Sequence, residues 1–159
     1  MLAQIGGRAM PLSHIEHYLI LTHDIAAARD WYVDVLGLRE GPHPDFPFPV
    51  CWLYIGDQDV IHIGQAAASE AQRKYLGDPA RQDAKGTGAL DHIAFRATGL
   101  AVTLDHLRAK NIAFTERQVD DQGLYQLFLH DPHGIKIELN FAATEATDRR
   151  APVMAADLR

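Results

Sequence analysis

Asp131-Pro132-His133-Gly134-Ile135-Lys136-Ile137-Glu138-Leu139 reads as a hairpin turn running straight into a strand. Asp, Pro and Gly each favour a turn for a different reason: a short side chain that bonds nearby backbone, a fixed φ, and access to positive φ. The residues that follow alternate. Ile135, Ile137 and Leu139 share one face, and Lys136, Glu138 and Asn140 the other. A covering helix takes the greasier face. Glu138 therefore points into the open, concave side of the sheet.

Upstream of this strand, Tyr125 to Leu129 and Ile112 to Phe114 read as strands. Leu100 to Lys110 is an amphipathic helix aligned on Leu100, Leu104 and Leu107, closed by Asn111, and Leu90 to Phe95 is a strand before it. The first half repeats this order. His17 to Leu21 is a short apolar strand, Asp24 is an N-cap, Ile25 to Leu36 is a helix, and Gly37 suits its C-terminal stop. Pro42, Pro44, Pro47 and Pro49 stiffen a loop carrying Phe46 and Phe48. Val50 to Ile55 and Val60 to Ile63 read as strands around a Gly56-Asp57 turn, with Ile61 and Ile63 on one face and Val60, His62 and Gly64 on the other.

The halves keep register. His17 precedes Asp24 by seven residues and His92 precedes Gly99 by seven; His62 follows His17 by forty-five and Glu138 follows His92 by forty-six. Such fixed offsets mark an internal duplication. The expected fold is α+β: two tandem βαβββ modules forming an open, cup-shaped mixed β-sheet barrel with the helices outside. The expected organisation is a flexible arm at 1–12, one domain at 13–141 made of modules 13–65 and 88–141, and a tail or packing arm at 142–159. The linker, 66–87, is polar, with one short helix over 66–85 before the Gly86-Thr87-Gly88 break.

Composition limits the function. The 159 residues are 47% hydrophobic and 23% charged, as in ordinary globular chains. Fifteen basic residues face twenty-one acidic ones for a net charge of −6, which argues against a nucleic-acid partner. No apolar stretch is long enough to span a bilayer. The N-terminal residues lack a signal-peptide layout, and the single Cys51 cannot form an internal disulfide, so a cytoplasmic location is expected.

Nine histidines are many for this length. His14, His23, His43, His106, His130 and His133 lie in turns or beside polar neighbours and read as surface residues. His17, His62 and His92 lie inside apolar segments. If the modules curl around a shared cup, His17, His92 and Glu138 meet. Two imidazoles and a carboxylate with open positions suit a divalent transition metal, Fe(II) above all. His62 is either a fourth ligand or a base. The pattern alone leaves open which face His17 and His92 take, since both faces of their strands are apolar.

His17-Tyr18-Leu19-Ile20-Leu21, Trp31-Tyr32-Val33-Asp34-Val35-Leu36-Gly37-Leu38, Leu90-Asp91-His92-Ile93-Ala94-Phe95 and Phe128 through Leu139 together resemble the vicinal oxygen chelate superfamily. That superfamily includes glyoxalase I, extradiol dioxygenases, methylmalonyl-CoA epimerase and fosfomycin-resistance thiol transferases. The resemblance covers about residues 13–141. It implies paired βαβββ modules around a metal, with His17, His92 and Glu138 on the commonest ligand positions, and a homodimer. Two departures stand out. Phe128 replaces the Tyr of the extradiol Tyr-x-x-Asp-Pro-x-Gly pattern, with Tyr125 nearby but out of register. His62 stands where glyoxalases and epimerases tend to have Glu or Gln.

The first expectation is a metalloenzyme activating a small molecule chelated through adjacent oxygens, by Fe(II) extradiol-type dioxygenation. Glu138 and His62 are its catalytic candidates. Phe46, Phe48, Trp52, Tyr54 and Tyr125 form a substrate set suited to a flat aromatic molecule. Arg96 and Lys136 suit an anionic one. The alternatives are a glyoxalase I-like or epimerase-like lyase or isomerase on Ni(II), Zn(II), Co(II) or Mn(II), and a thiol transferase or small-molecule-binding resistance protein.

Overall fold

The computed structural model of the protein describes residues 4–5, 8–9, 14–66, 69–76 and 90–154. Two short strands, β1 (Gln4–Ile5) and β2 (Arg8–Ala9), pair antiparallel where the sequence suggests only an arm. The first module then runs β3 (Tyr18–Thr22), α1 (Ile25–Leu36), β4 (Arg39–Gly41), β5 (Val50–Ile55) and β6 (Gln58–Gln65). After α2 (Glu70–Leu76), the second runs β7 (His92–Arg96), α3 (Leu100–Ala109), β8 (Phe114–Val119), β9 (Leu124–His130) and β10 (Lys136–Ala142). A final strand, β11 (Val153–Met154), lies in the tail. The Gly86-Thr87-Gly88 break lies outside the described residues.

Each module is βαβββ, and the two have the same topology. One sheet has the order β3-β6-β5-β4, the other β11-β8-β9-β10-β7. In each, the strand before the helix pairs parallel with the module's last strand, β3 with β6 and β7 with β10, and the remaining module strands are antiparallel. The duplicated sequence is thus a duplicated α+β structure of two mixed sheets without a closed barrel.

Alternation sets the core. Cys51, Leu53, Ile61 and Ile63 are buried towards Ala28, Tyr32 and Val35 of α1, while Leu127, Leu129, Ile137, Leu139 and Phe141 join Leu100, Leu104 and Leu107 of α3 in the same core. Each fully buried Leu or Ile contributes about 1.5–3 kcal/mol of transfer free energy. Asp24 caps α1 by accepting from the Ala27 amide at 2.9 Å, and Gly37 ends the helix at φ 74°. Helix α3 is capped from afar: Glu145 Oε2 accepts from the Gly99 and Leu100 amides at 2.7 and 2.9 Å. No helix among the described residues is long and apolar enough to cross a membrane.

One expected strand boundary moves, and two further segments take up structure. The strand expected at Ile112 to Phe114 is Phe114–Val119, because the Ile112 amide still bonds Leu107 O and Asn111 sits at φ 54° closing the helix. Strand β4 carries no apolar alternation; three residues at a sheet edge are defined by their ladder to β5 alone. Residues 142–154 of the tail are tied down, with β11 parallel to β8 and Ala151 and Met154 buried.

His133 also departs from the surface reading. Its Nε2 lies 2.5 Å from Thr22 Oγ1, in a turn whose Asp131 accepts from Tyr32 OH at 3.0 Å and from the His133 and Ile135 amides at 2.8 Å each. These bonds join the β9–β10 turn of the second module to β3 and α1 of the first.

Candidate metal centre in two halves

His17 precedes β3, and His62 lies on β6 on the face away from α1. Their rings stack with centroids 3.8 Å apart. Trp52, directly opposite His62 in the β5–β6 ladder, stacks on its other side at 3.9 Å, nearly parallel. His62 is thus the middle ring of three. Its Nε2 lies 2.7 Å from Asp59 Oδ2. Burial pulls the His62 imidazole below its ordinary pKa, against the pull of Asp59, and the bond from His62 lowers the Asp59 carboxyl.

Asp59 reaches this face because of a bulge. Leu53 pairs with Ile61 but Tyr54 pairs with Asp59, so Val60 is the extra residue. A bulge breaks strict alternation and re-aims the side chains beyond it. Without it, three residues of separation would put Asp59 and His62 on opposite faces. Asp59 is a site residue that sequence reasoning missed, since a pattern of alternation carries no mark of the bulge.

The second half is built on β7 and β10. His92 Nε2 lies 3.1 Å from Glu138 Oε2. Glu138 is 6% exposed, and its Oε1 accepts from Gln126 Nε2 at 2.8 Å and Asn140 Nδ2 at 2.7 Å. Gln126 in turn accepts from Arg117 Nε at 2.7 Å. A buried carboxylate needs such donors, because desolvation without them costs several kcal/mol. Gln126, Asn140 and Arg117 are the supporting residues here. Their signal in the sequence is only that Gln126 and Asn140 keep the parity of Phe128 and Glu138.

The same local device recurs in both halves. The residues before His17 and His92 are acids that engage Nδ1: Glu16 Oε1 with His17 at 3.3 Å, and Asp91 Oδ2 with His92 at 2.8 Å. Asp91 is itself held by Lys136 Nζ at 2.6 Å, and its carboxyl is lowered by that bond first and by His92 second. An acid on one ring nitrogen fixes the tautomer and leaves the other nitrogen as a ligand.

The halves do not meet within the chain. Among the described residues, the one group of three ligand-type side chains whose donor atoms lie within 4.8 Å of one another is His17, Asp59 and His62. His92 and Glu138 form their own pair on the other sheet. The site faces are half open: the side chains of His17 and His92 are 35% and 37% exposed.

The aromatic expectation divides. Phe46, Phe48 and Trp52 line a cavity of about 310 Å³ with His17, Asp59, His62 and Gln72. Phe46 and Phe48 stack at 5.2 Å. Gln72 is 1% exposed; its Nε2 donates to Gln65 O at 2.8 Å, and its Oε1 is buried with no partner among the described residues. Two expected substrate residues lie away from this cavity. Tyr54 lies beyond the bulge, donates to Pro42 O at 2.6 Å and lines a different cavity of about 650 Å³ between the modules. Tyr125 is fully buried on the core face opposite Glu138, with its hydroxyl on Glu116. Arg96 and Lys136 share the Glu138 face; Lys136 is engaged by Asp91, and Arg96 also borders the 650 Å³ cavity.

A family profile described as the Glyoxalase/Bleomycin resistance protein/Dioxygenase superfamily matches residues 14–139. The chain is 26% identical over 137 residues to "Glyoxylase I 4" of Arabidopsis thaliana, covering 84% of this chain and 74% of that protein. Among solved structures it resembles a lactoylglutathione lyase from Agrobacterium tumefaciens, with TM-score 0.62, 20% identity, and coverage of 84% of this chain and 97% of that one. It also resembles TnmS3, an antibiotic binding protein from Streptomyces sp. CB03234, with TM-score 0.58, 16% identity, and coverage of 84% and 98%. With the profile spanning both modules and the paired βαβββ topology in place, the chain belongs to the glyoxalase/bleomycin resistance protein/dioxygenase superfamily.

Proposed function

We propose that this chain is a divalent-cation-dependent enzyme whose site is completed by two copies, and that it transfers a proton on a small substrate bound through two adjacent oxygens. The observation that carries this reading is the pair of matched half-sites. His17 with His62, and His92 with Glu138, occupy equivalent positions of the two modules, on half-open sheet faces of one chain. A second copy related by a two-fold axis can bring His92 and Glu138 to His17 and His62, and its own His17 and His62 to the remaining pair.

The donor set fits a cation. His17 and His92 each have Nδ1 engaged by an acid, leaving Nε2 as the donor, and Glu138 is a buried carboxylate already held by amides. Imidazole and carboxylate donors together suit Fe(II), Ni(II), Zn(II), Co(II) or Mn(II). The cation, when bound, supplies Lewis acidity to two substrate oxygens. Glu138 Oε2 is the atom placed to take and return the proton, its partner Oε1 being fixed by Gln126 and Asn140. His62, flanked by two rings, holds position and serves as a ligand. Phe46, Phe48 and Trp52 cover the apolar part of the substrate and keep water away, while Arg96 favours an anionic group.

Isomerase or lyase chemistry of the glyoxalase or epimerase kind ranks above ring cleavage because Phe128 pairs directly with Glu138 on the site face and brings no hydroxyl there. Instead, the Arg117 guanidinium lies 4.7 Å from its ring centre. The name of the Arabidopsis relative, a glyoxylase I, points the same way. Extradiol cleavage on Fe(II) is the second reading, favoured by the aromatic lining of the 310 Å³ cavity. Metal analysis, hemithioacetal and epimerase assays under nitrogen, and oxygen uptake on a catechol panel decide between them. Turnover under nitrogen supports proton transfer. Oxygen consumption on a diol by the iron form overturns it in favour of ring cleavage, and absence of any bound metal overturns both. We place the protein in the cytoplasm and read it as a homodimer.

A further inference from the structure

We infer that Asp59 is itself a cation ligand, so that His17, His62 and Asp59 form a three-ligand site inside the first module that holds a divalent cation before a second copy adds His92 and Glu138. The inference rests on the reading of His17 and His62 as ligands and adds to it.

Four observations carry it. Donor atoms of the three residues lie within 4.8 Å of one another, and rotation of the stacked His17 and His62 rings brings them inside the roughly 4.2 Å that ligands about 2.1 Å from a common ion can span. The contact between His62 Nε2 and Asp59 Oδ2, at 2.7 Å, is a hydrogen bond whose proton a cation displaces, leaving both atoms as donors. Its chemistry also differs from that of the supporting acids. Glu16 and Asp91 take the Nδ1 side of their histidines. Asp59 takes the Nε2 side of His62, just as Glu138 takes the Nε2 side of His92. Each half-site therefore pairs a carboxylate with a ring nitrogen on its open face. The β5–β6 bulge aims Asp59 there: in an unbulged hairpin Asp59 would fall on the face opposite His62. Two imidazoles and one carboxylate with open positions are a sufficient set for a first-row divalent ion.

Cobalt(II) titration tests this, read by calorimetry and by the visible absorption of the bound ion. The wild-type chain takes one cobalt per chain. The His92→Ala/Glu138→Ala double variant still takes one per chain, more weakly, because the module-one set remains. Asp59→Asn, and Asp59→Ala as a second variant, lower cobalt affinity at least about tenfold in either background, with urea midpoints without metal confirming that the variants fold. Wild-type affinity in a folded Asp59→Asn chain overturns the inference, and so does loss of all cobalt from the double variant. If His17→Ala loses cobalt while Asp59→Asn and Asp59→Ala keep it, only the Asp59 assignment falls. If the wild-type chain takes none, the proposed function falls with it.

Discussion

Replacing Gln126 with Leu probes how the buried acid of the second half-site is held. Gln126 is 5% exposed and sits at the centre of a polar cluster. Its Nε2 donates to Glu138 Oε1 and to Asn140 Oδ1, both at 2.8 Å, and its Oε1 accepts from Arg117 Nε at 2.7 Å. Leu nearly preserves the volume, so no large cavity forms and the loss is polar. A bond to a charged acceptor contributes about 1.5–3 kcal/mol net. Here the low end applies, because Asn140 Nδ2 still donates to the same oxygen at 2.7 Å. The neutral bond to Asn140 adds about 1 kcal/mol. Water can replace the Gln126 oxygen on the half-buried Arg117, and burial of the Leu side chain offsets roughly 1 kcal/mol. The net expectation is a destabilisation of about 1.5 kcal/mol, measured by urea unfolding with metal removed. Glu138 also loses one of its two orienting donors, so cobalt affinity should fall about 10- to 100-fold, as for other partners of metal ligands. A stability loss below about 0.5 kcal/mol, together with unchanged cobalt affinity, would refute the account of how Glu138 is held.

Glu145→Ala removes the acceptor for two amides at the start of α3 and should cost about 1–2 kcal/mol in urea unfolding, with cobalt affinity unchanged. Tyr32→Phe removes the donor to the buried Asp131 carboxylate and should cost about 2 kcal/mol, since Oδ1 keeps its two backbone amides while Oδ2 loses the hydroxyl. Acid should destabilise the metal-free protein through His62. Its folded pKa lies below 6.5, so the unfolded chain binds the extra proton first, and stability is lost as the pH falls through 6.5 towards the folded value. The urea midpoint should therefore drop between pH 8 and pH 5.5, and His62→Asn should flatten that drop; an equally steep profile in the variant contradicts the burial argument.

The duplication was legible in residue spacing because both modules must place a strand residue, a helix and a last-strand residue at nearly fixed offsets to close the same topology. His62 and Glu138 could be placed on faces because Ile61, Ile63, Ile137 and Leu139 alternate with them. Asp59 was hidden because a bulge changes parity without changing residue types. Tyr54 and Tyr125 lie elsewhere for different reasons: the Tyr54 hydroxyl is held on Pro42 O by a loop contact with no periodic trace, and Tyr125 takes the parity of Leu127 rather than of Gln126. Strand β4 left no pattern, because a three-residue edge strand needs no apolar face. Which halves of the site meet is a matter of packing between modules, and contacts such as Tyr32 with Asp131 and Thr22 with His133 join residues about a hundred positions apart with no periodic trace.

The two-copy site is tested most directly by mixing chains that each lack one half. A His17→Ala/His62→Ala chain should bind no cobalt, and a His92→Ala/Glu138→Ala chain only weakly. If two copies share each site, unfolding and refolding an equal mixture yields mixed dimers with one intact site, about one wild-type-affinity cobalt site per four chains. If the mixture binds no more tightly than the two variants measured apart, the site is not built between copies and the central claim fails.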